Sequence, residues 1–228
     1  MKESAGSFSA RDPKTEVLGL LIRKHARRPI RRLLVVGCGS GLETAVLAEA
    51  LRAGAVGVDL RGSFDPDAAA AAELRRGDAT QLEFDDGAFD LVFSYHVLEH
   101  IPNYAKAIAE MRRVTAKGGL CCIGTPNRQR LVGYLGSKDA NWREKLFWNL
   151  IDWRARLRGR FRNELGAHAG FTAAELKAAL GQAFAAVEDI TLHYYLGVYR
   201  RQAAALDRLD RWGFGRYMFP AVYLLGRT

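Results

Sequence analysis

The sequence predicts an α/β fold: a doubly wound, mostly parallel sheet with helices on both faces. Two observations carry this. Short apolar runs alternate with stretches of helical period, the pattern of parallel strands joined by right-handed crossovers. The first apolar run closes in a glycine-rich turn, Gly37-Cys38-Gly39-Ser40-Gly41, and the second ends in an acidic residue, Asp59. In an open sheet of this kind a ligand lies at the carboxyl ends of the strands, where strand order reverses.

The elements follow in order. Residues 14–28 carry Val17, Leu18, Leu21 and Ile22 at helical spacing, and Pro29 ends the helix. Residues 33–36 form the first strand. Residues 42–52 return to helical period through Leu42, Ala45, Val46 and Ala50, and Gly54 separates them from a second strand over 55–60. The alanine-rich stretch 66–75 reads as a helix, and 82–84 as a short third strand or its exit. Residues 89–95 are the next clear strand. A helix over 104–114 stops at Gly118-Gly119, and a strand over 120–124 is terminated by Pro126. The regularity lapses over 127–165. It resumes with a helix over 173–184, a strand near 186–196, a polar connection with a helical run over 200–215, and a last apolar strand over 218–225.

The chain has 228 residues, 49% of them hydrophobic and 26% charged, enough to bury a full core without disulfide or metal staples. Its three cysteines, Cys38, Cys121 and Cys122, make neither a disulfide framework nor a metal knuckle, and the adjacent pair on a strand points to opposite faces. That pattern fits a reducing cytoplasm. Residues 1–14 are polar and lack a signal-peptide core, and no segment has bilayer-spanning length. The net charge is +9, and eight basic against three acidic residues fall within 138–162, so more than half of the excess lies in one stretch. Nucleic acid, an anionic membrane surface or a phosphorylated substrate are the partner classes this charge admits.

The glycine turn has the spacing G-x-G-x-G. A dinucleotide fingerprint would need glycine at position 42, where Leu42 stands, which argues against a nicotinamide enzyme. Asp59 can accept both hydroxyls of a ribose, and Asp78, in Gly77-Asp78-Ala79-Thr80, can take an exocyclic amine. The runs VVGCGSG, VGVDL, GDAT, FDLVFSYHVLEH and GGLCCIGTPN, in this order over residues 33–127, resemble those of the class I S-adenosylmethionine (SAM)-dependent methyltransferases. The resemblance implies a seven-stranded sheet of order 3-2-1-4-5-7-6 with the last strand antiparallel. It also implies that Gly37, Cys38, Gly39, Ser40 and Gly41 hold the methionine part of SAM. Asp59, with Leu60 beside it, would hold the ribose, Asp78 and Ala79 the adenine, and Ser94 and Tyr95 would pass under the sulfonium. On this reading residues 1–228 are one methyltransferase domain: an N-terminal helix over 14–32, the SAM-binding core over 33–127, a variable acceptor lid over 128–170, and a C-terminal helix and strands over 171–228.

Methyl transfer from a sulfonium is an in-line displacement, so the protein must align nucleophile, methyl and sulfur and exclude water. An oxygen or carbon nucleophile also needs a base. His96, Glu99 and His100 follow the fourth strand and would share one face of a helix. His100 is the expected base or orienting donor. Ubiquinone-pathway O-methyltransferases and small-RNA 2′-O-methyltransferases show a similar Glu-x-x-Glu-His, with a further histidine before a Phe/Trp-Thr helix start, and there these side chains hold a divalent metal. This chain has His168 in His168-Ala169-Gly170-Phe171-Thr172 but departs at the first ligand, His96. A site of His96, Glu99, His100 and His168 would be nitrogen-rich and suit zinc better than magnesium. The reading adopted is a metal-free site.

Residues 134–166 fall where this family places its acceptor lid. Asn141 and Glu144 fit a capping box, and Trp142, Leu146, Leu150 and Trp153, widened by Phe147, Trp148 and Ile151, form an apolar stripe. After Trp153 arginine recurs at every second residue to Arg162, a period that predicts a change to extended chain. The segment 141–162 reads as a packed lid or as a basic, tryptophan-anchored element on an anionic membrane. A nucleic-acid surface ranks below both, because no RNA-binding module accompanies it. The sequence thus predicts a cytoplasmic SAM-dependent methyltransferase acting on a small molecule, at oxygen, with an apolar or lipid-linked acceptor. Its rivals are an RNA 2′-O-methyltransferase-like enzyme and a catalytically silent SAM-binding partner protein.

Overall fold

A computed structural model of the protein describes residues 8–133, 141–165 and 168–228. Its centre is β1 (Arg32–Val36), flanked by β2 (Gly54–Asp59) and β3 (Glu73–Arg76) on one side and by β4 (Phe89–Tyr95) and β5 (Thr115–Pro126) on the other. These five strands run parallel. β6 (Ala186–Asp189) and β7 (Ala221–Arg227) complete the order β3-β2-β1-β4-β5-β7-β6, with β7 antiparallel to both neighbours. The helices are α1 (Phe8–Arg11), α2 (Pro13–His25), α3 (Leu42–Leu51), α4 (Pro66–Ala71), α5 (Tyr104–Val114), α6 (Trp142–Leu157), α7 (Ala173–Gly181), α8 (Thr191–Val198), α9 (Ala203–Arg211) and α10 (Gly215–Met218). The expected strand order is the observed one.

Because side chains alternate along a strand, each strand feeds two cores. From β1, Leu34 and Val36 pack with Ile108 and Met111 of α5 and Leu176 and Leu180 of α7. Leu33 and Val35 face the other way, into Leu18 and Ile22 of α2, Leu47 and Leu51 of α3, and Tyr194 and Tyr195 of α8. Cys121 and Cys122 divide between the two cores as strand neighbours must, and both are free and buried. Burial pushes both thiols up, which keeps them protonated.

Four local expectations are corrected. The helix expected over 66–75 ends at Ala71, and Glu73–Arg76 is instead the edge strand β3, paired with β2. An edge strand with one half-buried side chain, Leu74, has no hydrophobic pattern to announce it, and the alanine run hides it. Residues 82–84 therefore supply no strand. α5 has the expected bounds, but Thr115 rather than the glycines ends it: β5 opens there, ahead of the strand start expected at 120, and the Thr115 hydroxyl donates to the Met111 carbonyl at 2.6 Å. Gly118-Gly119 instead accompany a shift of register between β4 and β5. The strand expected near 186–196 is β6 followed at once by α8, whose β-favouring Thr191, Tyr194 and Tyr195 are buried against β7.

The fourth correction concerns α6, which continues past Trp153 to Leu157. Arg156 is held inside it, donating to the carbonyls of Arg128 and Arg130 at 2.6 and 2.9 Å. The capping box of Asn141 and Glu144 is present, as is that of Thr172 and Glu175 on α7. Residues 134–140 of the expected lid, Lys138 and Asp139 among them, lie outside the described residues, as do residues 166–167 and 1–7. Within α6 the two buried residues are Asn149 and Asp152. Asn149 bonds both backbone groups of Gly133, Asp152 meets Arg130 at 3.2 Å, and the Trp153 ring nitrogen donates to the Leu131 carbonyl. Among the described residues no helix is long and apolar enough to cross a membrane.

Candidate active site

The carboxyl ends of β1, β2 and β4 bring the expected positions to one edge of the sheet. Gly37, Gly39 and Gly41 all have positive φ, at 74°, 54° and 90°, backbone that side chains with a Cβ resist. A Cβ on Gly37 would lie 2.1 Å from Val97 Cγ2, so that glycine is required by packing as well. Gly37→Ala is expected to cost about 1–3 kcal/mol of stability, read as a lowered denaturant midpoint with an unchanged slope. At Gly39 a Cβ would meet nothing within 4 Å, so the turn borders open space where a ligand can lie against bare backbone. The N-terminus of α3 opens onto the same space.

Asp59 braces this turn. Its Oδ2 accepts the Gly39 N–H at 2.9 Å and its Oδ1 the Arg61 N–H at 2.9 Å, which leaves lone pairs on both oxygens. Leu60, next to it, is exposed although large and apolar. Asp78 is exposed and accepts the Thr80 N–H and hydroxyl, bonds that hold its carboxyl below the usual range. Ala79 beside it is buried. The Cys38 thiol is pushed up to about 12 by burial, with the Asp59 carboxylate adding to it. Ser94 is buried, and its hydroxyl has no hydrogen-bond partner among the described residues. Open backbone at Gly39, two strand-end carboxylates and one orphaned hydroxyl fit a nucleoside with a polar tail.

After β4 the chain turns sharply. His96 takes a left-handed φ of 56°, and Leu98–His100 is a single 3₁₀ turn, not the helix expected there. The strain is tolerated because the His96 N–H bonds the Gly124 carbonyl at 3.0 Å. Glu99 still comes to lie between the two histidines, its Oε1 3.5 Å from His96 Nδ1 and 3.9 Å from His100 Nε2. Its side chain is fully buried, neither oxygen has a hydrogen-bond donor among the described residues, and burial raises its pKa to about 7. Burial and nearby Arg130 lower the His96 pKa, so that imidazole is neutral at physiological pH. The His168 ring packs edge-on to His100 at 4.8 Å. Among the described residues no group of three His, Cys, Asp or Glu side chains is set to hold a metal ion, these four included.

Beside this turn opens a cavity of about 680 Å³, within the usual size of small-molecule sites. Glu43 and Leu42 of α3, Tyr95 and His96 at the end of β4, and the tyrosines 194, 195, 199 and 223 line it, and α2 closes it with Asp12, Thr15 and Leu18. Tyr95 stacks on Tyr223 with ring centroids 5.5 Å apart, and Tyr194 packs tilted against the same ring at 4.4 Å. His96 and His168 line this cavity, whereas Glu99 and His100 do not. Glu43 is a cavity residue that the sequence reading does not find. Burial and then the Asp12 carboxylate raise its pKa to about 7. The available signal was a single charge inside the apolar run 42–48, directly after the glycine turn. Tyr194 and Tyr195 carry no such signal, because the sequence of α8 reads as strand.

Fold and site edge together define a Rossmann-like methyltransferase frame. Residues 34–123 match the family model described as a methyltransferase domain. Tocopherol O-methyltransferase of Arabidopsis thaliana is 36% identical over 107 residues, covering 43% of this chain and 31% of the relative. Ubiquinone biosynthesis O-methyltransferase of Maricaulis maris is 33% identical over 119 residues (49% and 46%). Ajmaline N-methyltransferase of Rauvolfia serpentina is 30% identical over 146 residues (49% and 46%). The chain spans less than half the length of these three relatives. Among solved structures, the YcgJ protein of Bacillus subtilis superposes with a TM-score of 0.56 over 93% of this chain and 97% of the other, at 17% identity. Geranyl diphosphate C-methyltransferase of Streptomyces coelicolor, solved with Mg2+, geranyl diphosphate and S-adenosyl-L-homocysteine, gives 0.51 over 92% and 75%, at 16% identity.

Proposed function

We propose that the protein transfers the methyl group of SAM to a small-molecule acceptor, at oxygen, and that the acceptor is apolar or lipid-like. The observation that carries this is the tyrosine-walled cavity with Glu43 inside it, opening beside the glycine turn. The reading treats residues 1–228 as one methyltransferase domain with 128–170 as its acceptor lid. The three free, buried cysteines support a cytoplasmic location.

Gly37–Gly41 would hold the methionine part of the cofactor, Asp59 and Leu60 the ribose, Asp78 and Ala79 the adenine, and Ser94 and Tyr95 the underside of the sulfonium. When bound, SAM supplies a methyl carbon on positively charged sulfur, open to in-line displacement. The tyrosine rings exclude water and seat an apolar acceptor, and their hydroxyls orient its oxygen. Glu43 takes the proton that the acceptor oxygen gives up as the new carbon–oxygen bond forms and the carbon–sulfur pair stays on sulfur. A carboxylate poised near neutrality suits that task, and a neutral amine would not need it. Neutral His96 is a second proton acceptor at the cavity wall, while Glu99, His100 and His168 position it. The relatives named as O-methyltransferases support oxygen as the methylated atom.

Calorimetric titration tests the cofactor half. S-adenosylhomocysteine is expected to bind saturably at one site and NAD(H) not at all. Binding of NAD(H), or failure of the folded protein to bind S-adenosylhomocysteine, overturns the reading.

A further inference from the structure

The polarity of α6 is inverted. An amphipathic helix on a globular protein turns its apolar face inward, yet here the inward side is Asn149, Asp152 and Arg156, fixed by hydrogen bonds to segment 128–133. The outward side carries Trp142, Leu146, Phe147, Leu150, Ile151 and Leu157, all exposed, from 49% at Ile151 to 89% at Leu157. Leu131 and Val132 extend the same kind of surface beyond the helix. Single exposed apolar residues are ordinary, but a contiguous face of this length marks an interaction surface.

We infer that this face docks on an anionic lipid surface. The charge beside it selects the occupant. Arg143 and Arg154 rise from the exposed face itself, and Arg158, Arg160 and Arg162 follow directly after the helix, all exposed. The two acidic residues of the helix are engaged within the protein, Glu144 in the N-terminal cap and Asp152 against Arg130. Apolar groups, indole rings and a predominantly basic rim are what a headgroup–acyl boundary with negative lipids accommodates. A second copy of this chain would bring a like-charged rim against the first, which opposes association. The arginine stems can lie along the apolar groups while their heads reach phosphate. The inference stands apart from methyl transfer, since it rests on α6 and not on the cavity.

The test is flotation of the full chain with vesicles of phosphatidylcholine alone and of phosphatidylcholine with phosphatidylglycerol. Binding is expected to the second only, to weaken as salt is raised, and to blue-shift tryptophan emission as Trp142 and Trp153 leave water. The triple variant Leu146→Ser, Phe147→Ser, Leu157→Ser is expected to lose binding by at least about tenfold, with melting temperature and S-adenosylhomocysteine affinity unchanged. Those three side chains are exposed, so the variant folds. Arg143→Glu with Arg154→Glu is expected to lose binding as well. No binding to either vesicle, equal binding to both, or full binding by the triple variant overturns the inference. So does a wild-type dimer that the triple variant dissolves without any vesicle binding. A failure here leaves the S-adenosylhomocysteine titration untouched, and the reverse also holds.

Discussion

Replacing Asp59 with alanine is expected to weaken S-adenosylhomocysteine binding by about a hundredfold or more, measured by calorimetry on the folded variant. Two losses combine. On the proposed reading the carboxylate accepts both ribose hydroxyls, and hydrogen bonds to a charged group contribute about 1.5–3 kcal/mol each. The same carboxylate also accepts the Gly39 and Arg61 N–H groups, so its removal frees the turn that is meant to receive the ligand. Asp59→Asn separates the two effects. It keeps an acceptor for the turn but loses the charge, and an intermediate affinity is expected. Unchanged affinity in Asp59→Ala would place the ribose elsewhere.

The second large effect belongs to Glu43→Gln. If Glu43 is the base, turnover of a phenolic acceptor accepted by the wild type falls about a hundredfold, while S-adenosylhomocysteine still binds. The pH profile distinguishes a base from a mere wall residue. Burial raises the Glu43 pKa from its ordinary 4.5 to about 7, so the proton-accepting form fills in as pH rises through that value. Wild-type activity should therefore climb through about pH 7, and the variant should lose that limb. Stability moves the opposite way. A carboxyl whose folded pKa is raised favours folding when protonated and opposes it as pH rises between the unfolded and folded values. The neutral glutamine should accordingly raise the melting temperature relative to wild type at about pH 8 more than at about pH 5. A variant that keeps both the limb and the rate removes Glu43 from the chemistry.

The parallel core was legible because its signals are local. The glycine turn, Asp59 at the end of β2 and the apolar runs of β1, β4 and β5 each report their own environment, and the match to the family extended them to a strand order. What stayed hidden depends on partners distant in sequence. β3 reads as helix because it is held mainly by backbone pairing to β2, with Leu74 alone packed against the core, too little to leave a pattern in its side chains. Thr191-Leu192-His193-Tyr194-Tyr195 reads as strand because β-favouring residues were needed for bulk against β7, and packing overrode propensity. His96, Glu99 and His100 were found as a cluster, but which of them meets the cavity depends on the positive φ of His96, a choice no periodicity reveals. Arg130 was missed outright. It is buried and donates to the carbonyls of Asn127, His168 and Ala169, so the exit of β5 and the turn before α7 converge on one guanidinium.

The insertion of β7 between β5 and β6 sets an order of assembly. Leu120 on β5 pairs with Arg227, and Pro126 with Ala221, contacts about a hundred residues apart in the chain and the longest-range strand pairing of the sheet. The βα units from β1 to β5 need no pairing of that range, since each pairs with a strand a few tens of residues away. Tyr223, which joins Tyr95 to Tyr194, rides on the late strand. The half of the molecule that carries the glycine turn can therefore consolidate first, and the tyrosine-walled half acquires its floor only when β7 slides home.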